Sequence, residues 1–257
     1  MAVTRARGRR RLRVAIAVAT TVALAAGTVA LLFSGLFSAR HVTVRGSLHT
    51  PAPVVLATAG LDASPPLVEV DPGAAAARLE RLPWVARATV VRRWPDSVTV
   101  TVVERVPVAA VDRRGGVALV DASGRVLAWP AAAPAGLPLL AAPVGVGRPG
   151  STLGAGARPG LTVAAALPPA LARRVQGVDV GRDGTVTLDL GSGLRAELGA
   201  PSTLGAKLEA LASVLAGAQP HGPALIDVTV PDEPLVGAAP GPAPPAAAGG
   251  SSGTHSP

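Results

Sequence analysis

From Val14 to Ala39 no side chain is charged, and Val14 to Phe33 is a near-continuous run of small and branched apolar residues. A helix rises about 1.5 Å per residue, so about 20 such residues cross a hydrocarbon core of about 30 Å. A helix also pairs its backbone N–H and C=O groups internally, as lipid requires. The pattern predicts a transmembrane helix over 14–37. No polar face recurs at helical spacing, which argues against a core helix of a soluble protein. Residues 1–13 carry Arg5, Arg7, Arg9, Arg10, Arg11 and Arg13 and no acid. Basic flanks stay in the cytoplasm, so 1–13 reads as a cytoplasmic tail and everything from Arg40 as extracytoplasmic, a single-pass type II arrangement. The rival is a cleaved signal peptide: Val14 to Leu24 has the length of an h-region, and Ala23-Leu24-Ala25 resembles its cleavage site. Against it, the apolar run continues through Val29, Leu31, Leu32 and Phe33. Arg10-Arg11 matches a twin-arginine signal only loosely.

Residues 40–107 switch between periods. His41 to Arg45 alternates as a strand and Gly46 stops it. Thr50 is placed to cap a helix that starts at Pro51, carries Val54, Val55 and Leu56, and ends at Gly60. Asp71-Pro72 marks a second helix start; Ala77, Leu79 and Leu82 form its apolar side and Pro83 ends it. Trp84, Ala86, Ala88 and Val90 then fall on one face of a strand, with Arg87, Thr89 and Arg93 on the other. Pro95-Asp96-Ser97 is turn chemistry, and Val98, Val100 and Val102 repeat the alternation, completing a hairpin. Two helices on one face of a small sheet would bury the apolar sides of both layers.

Residues 108–232 read as a second, mostly β domain. Val117 to Val120 and Arg125 to Ala128 flank the turn Asp121-Ala122-Ser123-Gly124, with Trp129 expected in the core. Leu137 to Val146 is a proline-interrupted strand, expected near an edge. Residues 147–160 are rich in Gly and Pro and read as a mobile loop. Leu161 to Leu171 is helical but split at Pro168-Pro169. Val175 to Val180, Thr185 to Leu190 and Leu194 to Leu198 are strands. Leu204, Leu208, Leu211 and Leu215 make one helical stripe, with Lys207 and Glu209 off it. Leu225-Ile226-Asp227-Val228-Thr229-Val230 is the last strand, closed by Pro231. Residues 233–257 are Pro, Ala, Gly and Ser, too poor in apolar surface to offset ordering entropy, and read as a disordered tail.

Composition narrows the function classes. The 257-residue chain carries a net charge of +8; removing the six tail arginines leaves +2. The basic balance therefore reports topology and not a nucleic-acid surface. With no Tyr and few other aromatics, base-stacking platforms are absent. Without Cys there are no disulfides, thiol nucleophiles or cysteine metal sites. One lysine among many arginines, beside abundant Ala, Gly and Pro, reads as GC-rich coding bias.

Two motifs resemble catalytic signatures. Gly145-Val146-Gly147-Arg148-Pro149-Gly150 has dinucleotide-fingerprint spacing, but no apolar helix follows it directly. Gly249-Gly250-Ser251-Ser252-Gly253 has nucleophile-elbow spacing but sits in the tail. His41, His49, His221 and His255 have no ligand spacing, and Asp96 and Glu104 read as a turn acid and a surface ion-pair partner. No catalytic, cofactor-binding or metal site emerges.

Leu82-Pro83-Trp84-Val85, Arg92-Arg93-Trp94-Pro95-Asp96, Val98-Thr99-Val100 and Glu104-Arg105-Val106-Pro107-Val108-Ala109 together resemble the POTRA domain of the FtsQ/DivIB cell-division proteins. Val42-Thr43-Val44-Arg45-Gly46, Gly60-Leu61, Val70-Asp71, Leu198-Gly199, Lys207 and Ile226-Asp227-Val228 fall at matching places, so the likeness covers roughly residues 10 to 235. The resemblance implies an α+β fold: an N-terminal transmembrane helix, a POTRA domain of order β-α-α-β-β, and a mostly β domain with a late amphipathic helix and a terminal strand. It implies a non-catalytic divisome scaffold without cofactors, concentrated at the septum and linking proteins of septal peptidoglycan synthesis. Its partners would be FtsB/DivIC-like and FtsL-like coiled-coil membrane proteins, with further division proteins at the POTRA domain. They would dock at Leu225, Ile226, Asp227, Val228, Thr229 and Val230, where a free strand edge would offer main-chain hydrogen bonds; the alternative for this segment is an interior strand with no free edge. Two other classes remain open. A POTRA-bearing transport component would need repeated units and a barrel. An anchored cell-wall enzyme would need a nucleophile or metal site.

Overall fold

A computed structural model of the chain describes residues 3–33, 37–217 and 223–238. Part of the expected membrane segment, His221, His255, the Gly249–Gly253 motif and most of the expected tail lie outside the described residues. The chain divides into two units, Met1–Arg105 and Val106–Pro257. The fold is mixed α+β, with a small three-stranded sheet unit and a mostly β unit.

The first helix, α1, runs Val3–Leu32. Its described apolar side chains, among them Val14, Ile16, Val18, Val22 and Leu24, are exposed. Among the described residues no helix is long and apolar enough to cross a membrane. The part of α1 whose side chains are described, residues 14–30, is about 25 Å long at ~1.5 Å per residue.

The small sheet has the order β1-β3-β2, with β1 (His41–Arg45) parallel to β3 (Ser97–Glu104) and β2 (Val85–Arg93) antiparallel to it. The helices α2 (Ala52–Ala59) and α3 (Pro72–Leu79) lie between β1 and β2 in sequence. Val55, Ala59, Ala75 and Leu79 from the helices are buried with Val85, Val90, Val98, Val100 and Val102 from the strands. Full burial of each larger side chain contributes about 1.5–3 kcal/mol.

Three local expectations change. Pro51, not Thr50, is the N-cap of α2, with no side-chain cap. Its end at Gly60 is as expected, in the left-handed region. Asp71 does cap α3, its carboxylate accepting from the N–H groups of Gly73 and Ala74. That helix stops at Leu79, before Pro83, because Glu80 to Trp84 turn into β2; Ala77 is exposed and Leu82 half-buried. In β2 a bulge between Val85 and Arg87 shifts the phase, so Val85 is buried and Ala86 exposed. The extra residue of a bulge breaks period two at that point.

The second unit is a nine-stranded mixed sheet of order β12-β11-β10-β9-β8-β7-β4-β5-β6. Its strands are β4 (Pro107–Arg113), β5 (Gly116–Asp121), β6 (Val126–Ala128), β7 (Leu139–Ala141), β8 (Gly177–Val180), β9 (Val186–Asp189), β10 (Leu194–Gly199), β11 (Ala224–Asp227) and β12 (Leu235–Ala238). Helices α4 (Arg158–Ala166) and α6 (Leu204–Gly217) pack on it, and a short α5 (Pro169–Ala172) follows the expected Pro168-Pro169 break. Leu161, Val163, Leu208, Leu211 and Leu215 share one core with Leu140, Val178, Leu188, Leu198 and Ile226.

Three expectations for this unit are corrected. The strand in 137–146 is only Leu139–Ala141, and it is interior, between β4 and β8 in parallel pairing. Its neighbours are distant in sequence, so local proline content says nothing about its place. Residues 147–160 are packed: Leu153 and Ala157 are in the core, Arg125 and Thr152 form a bridge, and Gly160 lies against Leu140 and Val180. Trp129 is partly exposed, with the Arg113 guanidinium 4.3 Å over its ring. A cation over the ring face holds an indole at the surface that apolar burial would otherwise draw inward.

Candidate docking edge

The expected docking strand, residues 225–230, forms β11 only as far as Asp227, and the structure does not leave it at an edge. On one side β11 pairs in parallel with β10, Ala196 facing Ile226. On the other it pairs antiparallel with β12, Ile226 facing Val236 and Asp227 facing Leu235. Ile226 and Val228 are fully buried, Leu225, Asp227 and Thr229 are half-buried, and Val230 is exposed. Leu225–Asp227 therefore lies in an interior strand, Val228–Val230 follow it outside the ladder, and among the described residues the sheet edge passes to Leu235–Ala238. This strand also extends the folded part past residue 232, into the expected tail. Short, proline-flanked and exposed at all four positions, it has no alternation for a periodicity reading to detect.

The local chemistry explains how the chain turns there. Asp227 Oδ1 accepts from the backbone N–H of Thr229 at 2.8 Å and from its hydroxyl at 2.7 Å, closing the strand in an Asx turn. The Val228 N–H donates to the Glu197 carbonyl, and Glu233 N–H donates back to Val230, returning the chain as β12. Beside this turn, β10 carries a bulge at Gly199, whose φ is +62°. A Cβ there would meet Thr229 at 3.0 Å.

Lys207 holds the same end from the helix side. It is only 3% exposed, and Nζ donates to the carbonyls of Leu198 at 2.7 Å and Ala200 at 2.8 Å. This reverses the expectation that Lys207 lies off the buried stripe of α6. A stripe of leucines shows where a helix is apolar; it does not show that a long aliphatic stem can run inward and set its ammonium on strand-end carbonyls. A buried charge needs such partners. α6 is thereby hydrogen-bonded to the end of β10, one strand in from β11.

The other described residues that the sequence singles out make local structural contacts. Gly150 N–H donates to Val126, Val126 to Ser151, and Ser151 to Arg148, so the Gly-rich run is a loop bonded to β6 rather than a phosphate cradle before a helix. Among the described residues no cluster of His, Cys, Asp or Glu could hold a metal ion. Asp96 pairs with His41 at 3.2 Å and accepts from Ser97.

Glu104 closes the loop after β1. Its Oε1 accepts from the N–H groups of Leu48 and His49, both at 2.8 Å, and Oε2 pairs with His49 Nδ1 at 2.7 Å. The His49 ring stacks on Trp84 with centroids 3.9 Å apart. Burial, the largest single influence, raises the Glu104 pKa, but the bonds from His49 and Leu48 and the His49 charge together outweigh it and hold the carboxyl below the ordinary glutamate value. The folded-state value being the lower one, this stabilisation is complete above the unfolded-state value and is lost as pH falls through the folded-state value. The thermal midpoint of the first unit is expected to drop in acid, below pH about 4, and Glu104→Gln to flatten that limb while lowering the midpoint at neutral pH. Parallel acid limbs in scans of the two proteins would refute this role.

A small β-α-α-β-β unit followed by a mixed sheet with a late helix and terminal strand defines a two-part POTRA-bearing protein. Residues 37–105 match the family model described as POTRA domain, FtsQ-type, and residues 109–229 match the one described as cell division protein FtsQ/DivIB, C-terminal. The cell division protein FtsQ of Streptomyces collinus is 35% identical over 239 residues, spanning 88% of this chain and 89% of that protein. That of Mycolicibacterium smegmatis is 35% identical over 217 residues, 84% of this chain but only 62% of that longer protein. That of Streptomyces griseus is 34% identical over 190 residues, 72% and 89% of the two chains. This chain belongs to the FtsQ/DivIB family of cell division proteins.

Proposed function

We propose that the chain is a non-catalytic, single-pass membrane scaffold of the divisome, with residues 1–13 in the cytoplasm and both folded units outside, concentrated at the septum. It gathers FtsB/DivIC-like and FtsL-like coiled-coil proteins at the β11–β12 end of the nine-stranded sheet, and other division proteins at the POTRA-type unit, for septal peptidoglycan synthesis. The anchor reading is supported by the uncharged run that the sequence continues to Ala39 and by the exposure of the apolar side chains of α1. A helical stretch without charge on any side, as in residues 14–30, and exposed among the described residues is matched to lipid.

The observation that carries the docking reading is the state of β12. Among the described residues it ends the sheet, and one row of its N–H and C=O groups has no strand partner there. Leu235 and Val236 are 66% and 48% exposed. An added strand would gain main-chain hydrogen bonds there and cover two apolar side chains. Leu225–Asp227 then serves as the strand behind the edge, held to α6 through β10 and Lys207. In pull-downs from detergent extracts, replacing both Leu235 and Val236 by Lys is expected to reduce capture of the coiled-coil partners at least tenfold. The thermal midpoint should move little, since exposed substitutions typically change stability by within about 0.5 kcal/mol. Undiminished capture by the double variant would remove the edge from the mechanism.

A further inference from the structure

The chain has only two Phe and three Trp. Two of these five, Phe37 and Trp94, are in ring contact, and a third, Phe33, precedes Phe37 by four residues. Phe33 follows the last turn of α1, its N–H donating to the Val29 carbonyl, and is exposed. Phe37 is four residues further on, so it lies at most about 14 Å from Phe33 along any extended path. Its ring meets Trp94 edge-to-face with centroids 5.8 Å apart. Trp94 sits in the β2–β3 turn and is 52% exposed.

Backbone bonds make this turn and the chain entry one rigid piece. Leu67 N–H donates to the Phe37 carbonyl at 2.7 Å, and Arg40 and His41 N–H both donate to the Asp96 carbonyl. Arg92 Nη1 donates to the Leu67 carbonyl at 3.2 Å. Arg40, Arg92 and Arg93 are exposed, and no acid among the described residues pairs with them. Asp96, in the same turn, is already engaged by His41 and Ser97.

We propose that the β2–β3 turn is a lipid-contact surface: Trp94 and Phe37 enter the bilayer interface beside the end of α1, and Arg40, Arg92 and Arg93 lie at headgroup phosphates. Indole rings favour this layer because one part of the ring is apolar and its N–H wants a polar partner. Guanidinium groups bind phosphate oxygens with two parallel donors. The occupant is a lipid surface and not a protein because the short tether from α1 keeps the aromatic pair within reach of the membrane that α1 enters. The inference rests on α1 being a membrane anchor.

The test uses the full chain reconstituted into phosphatidylcholine–phosphatidylglycerol vesicles with acyl chains brominated near the headgroup, which quench shallow indoles. Alkaline carbonate washing is applied first. Chain released by the wash would overturn the anchor reading and this surface with it. With the chain retained, tryptophan emission is expected to be quenched by up to the share of one Trp in three, and Trp94→Phe is expected to abolish the quenching. Trp94 being half-exposed, that variant keeps its fold, checked by circular dichroism. Retained chain with no quenching, or with equal quenching in Trp94→Phe, would overturn the lipid contact while leaving the anchor intact.

Discussion

Gly46→Ala is expected to destabilise the first unit by about 2–5 kcal/mol, the sum of a left-handed conformation at a residue with a Cβ and a backbone collision. Gly46 has φ +77° at the end of β1, and a Cβ there would run into the carbonyl of Val102. Val102 belongs to β3, the central strand of the small sheet, whose inward face carries Val98, Val100 and Val102. Neither atom can yield cheaply, because β3 is paired on both sides: Thr101 with Arg45 of β1 and with Thr89 of β2. Urea unfolding followed by the emission of Trp84 and Trp94 measures the effect. An unchanged midpoint would mean that β1 does not leave the sheet by this route.

Ile226→Asp is expected to unfold the second unit. Ile226 is fully buried between β10 and β12, and its loss alone forfeits about 2–3 kcal/mol of apolar burial. A carboxylate in its place would be a charge buried in the apolar core, a penalty of several kcal/mol. Together these consume most of the stability of a typical domain, about 5–15 kcal/mol. The result should appear as loss of the cooperative transition reported by Trp129. It also separates two roles in partner capture: a variant at Ile226 removes the unit, whereas variants at Leu235 and Val236 remove only the edge. A folded Ile226→Asp protein would show that β11 is not the interior strand described.

How much could be read in advance depended on what each residue answers to. His41–Arg45, Val98–Val102 and the leucines of α6 alternate because one side meets a core, and the pattern and the core agree. Asp71-Pro72 and Gly60 are legible because caps act within a single turn of backbone. Ala86 was misplaced because a bulge, which depends on the partner strand, shifts the phase. The 147–160 segment looked mobile because Gly and Pro describe backbone freedom, not the Leu140 and Val180 side chains waiting beside Gly160.

The docking edge shows the same division more sharply. That 225–230 forms a strand followed from its own residues; that it lies inside the sheet did not. β12 is held by main-chain bonds to β11 and buries none of its four side chains, so its sequence carries no mark of its place. Lys207 was read by its charge, while its position follows from two carbonyls at the end of β10. The amino-acid order alone determined the uncharged N-terminal run, the β-α-α-β-β unit, a mostly β second part and the family. Tertiary structure alone decided which strand stands at the edge, where the buried ammonium finds its acceptors, and which aromatic rings meet. The first set follows from interactions between near neighbours in sequence. The second depends on pairings that periodicity does not encode, whether 9 residues apart, as for Lys207 and Leu198, or between distant segments, as for Phe37 and Trp94, and that exist only once the sheet has formed.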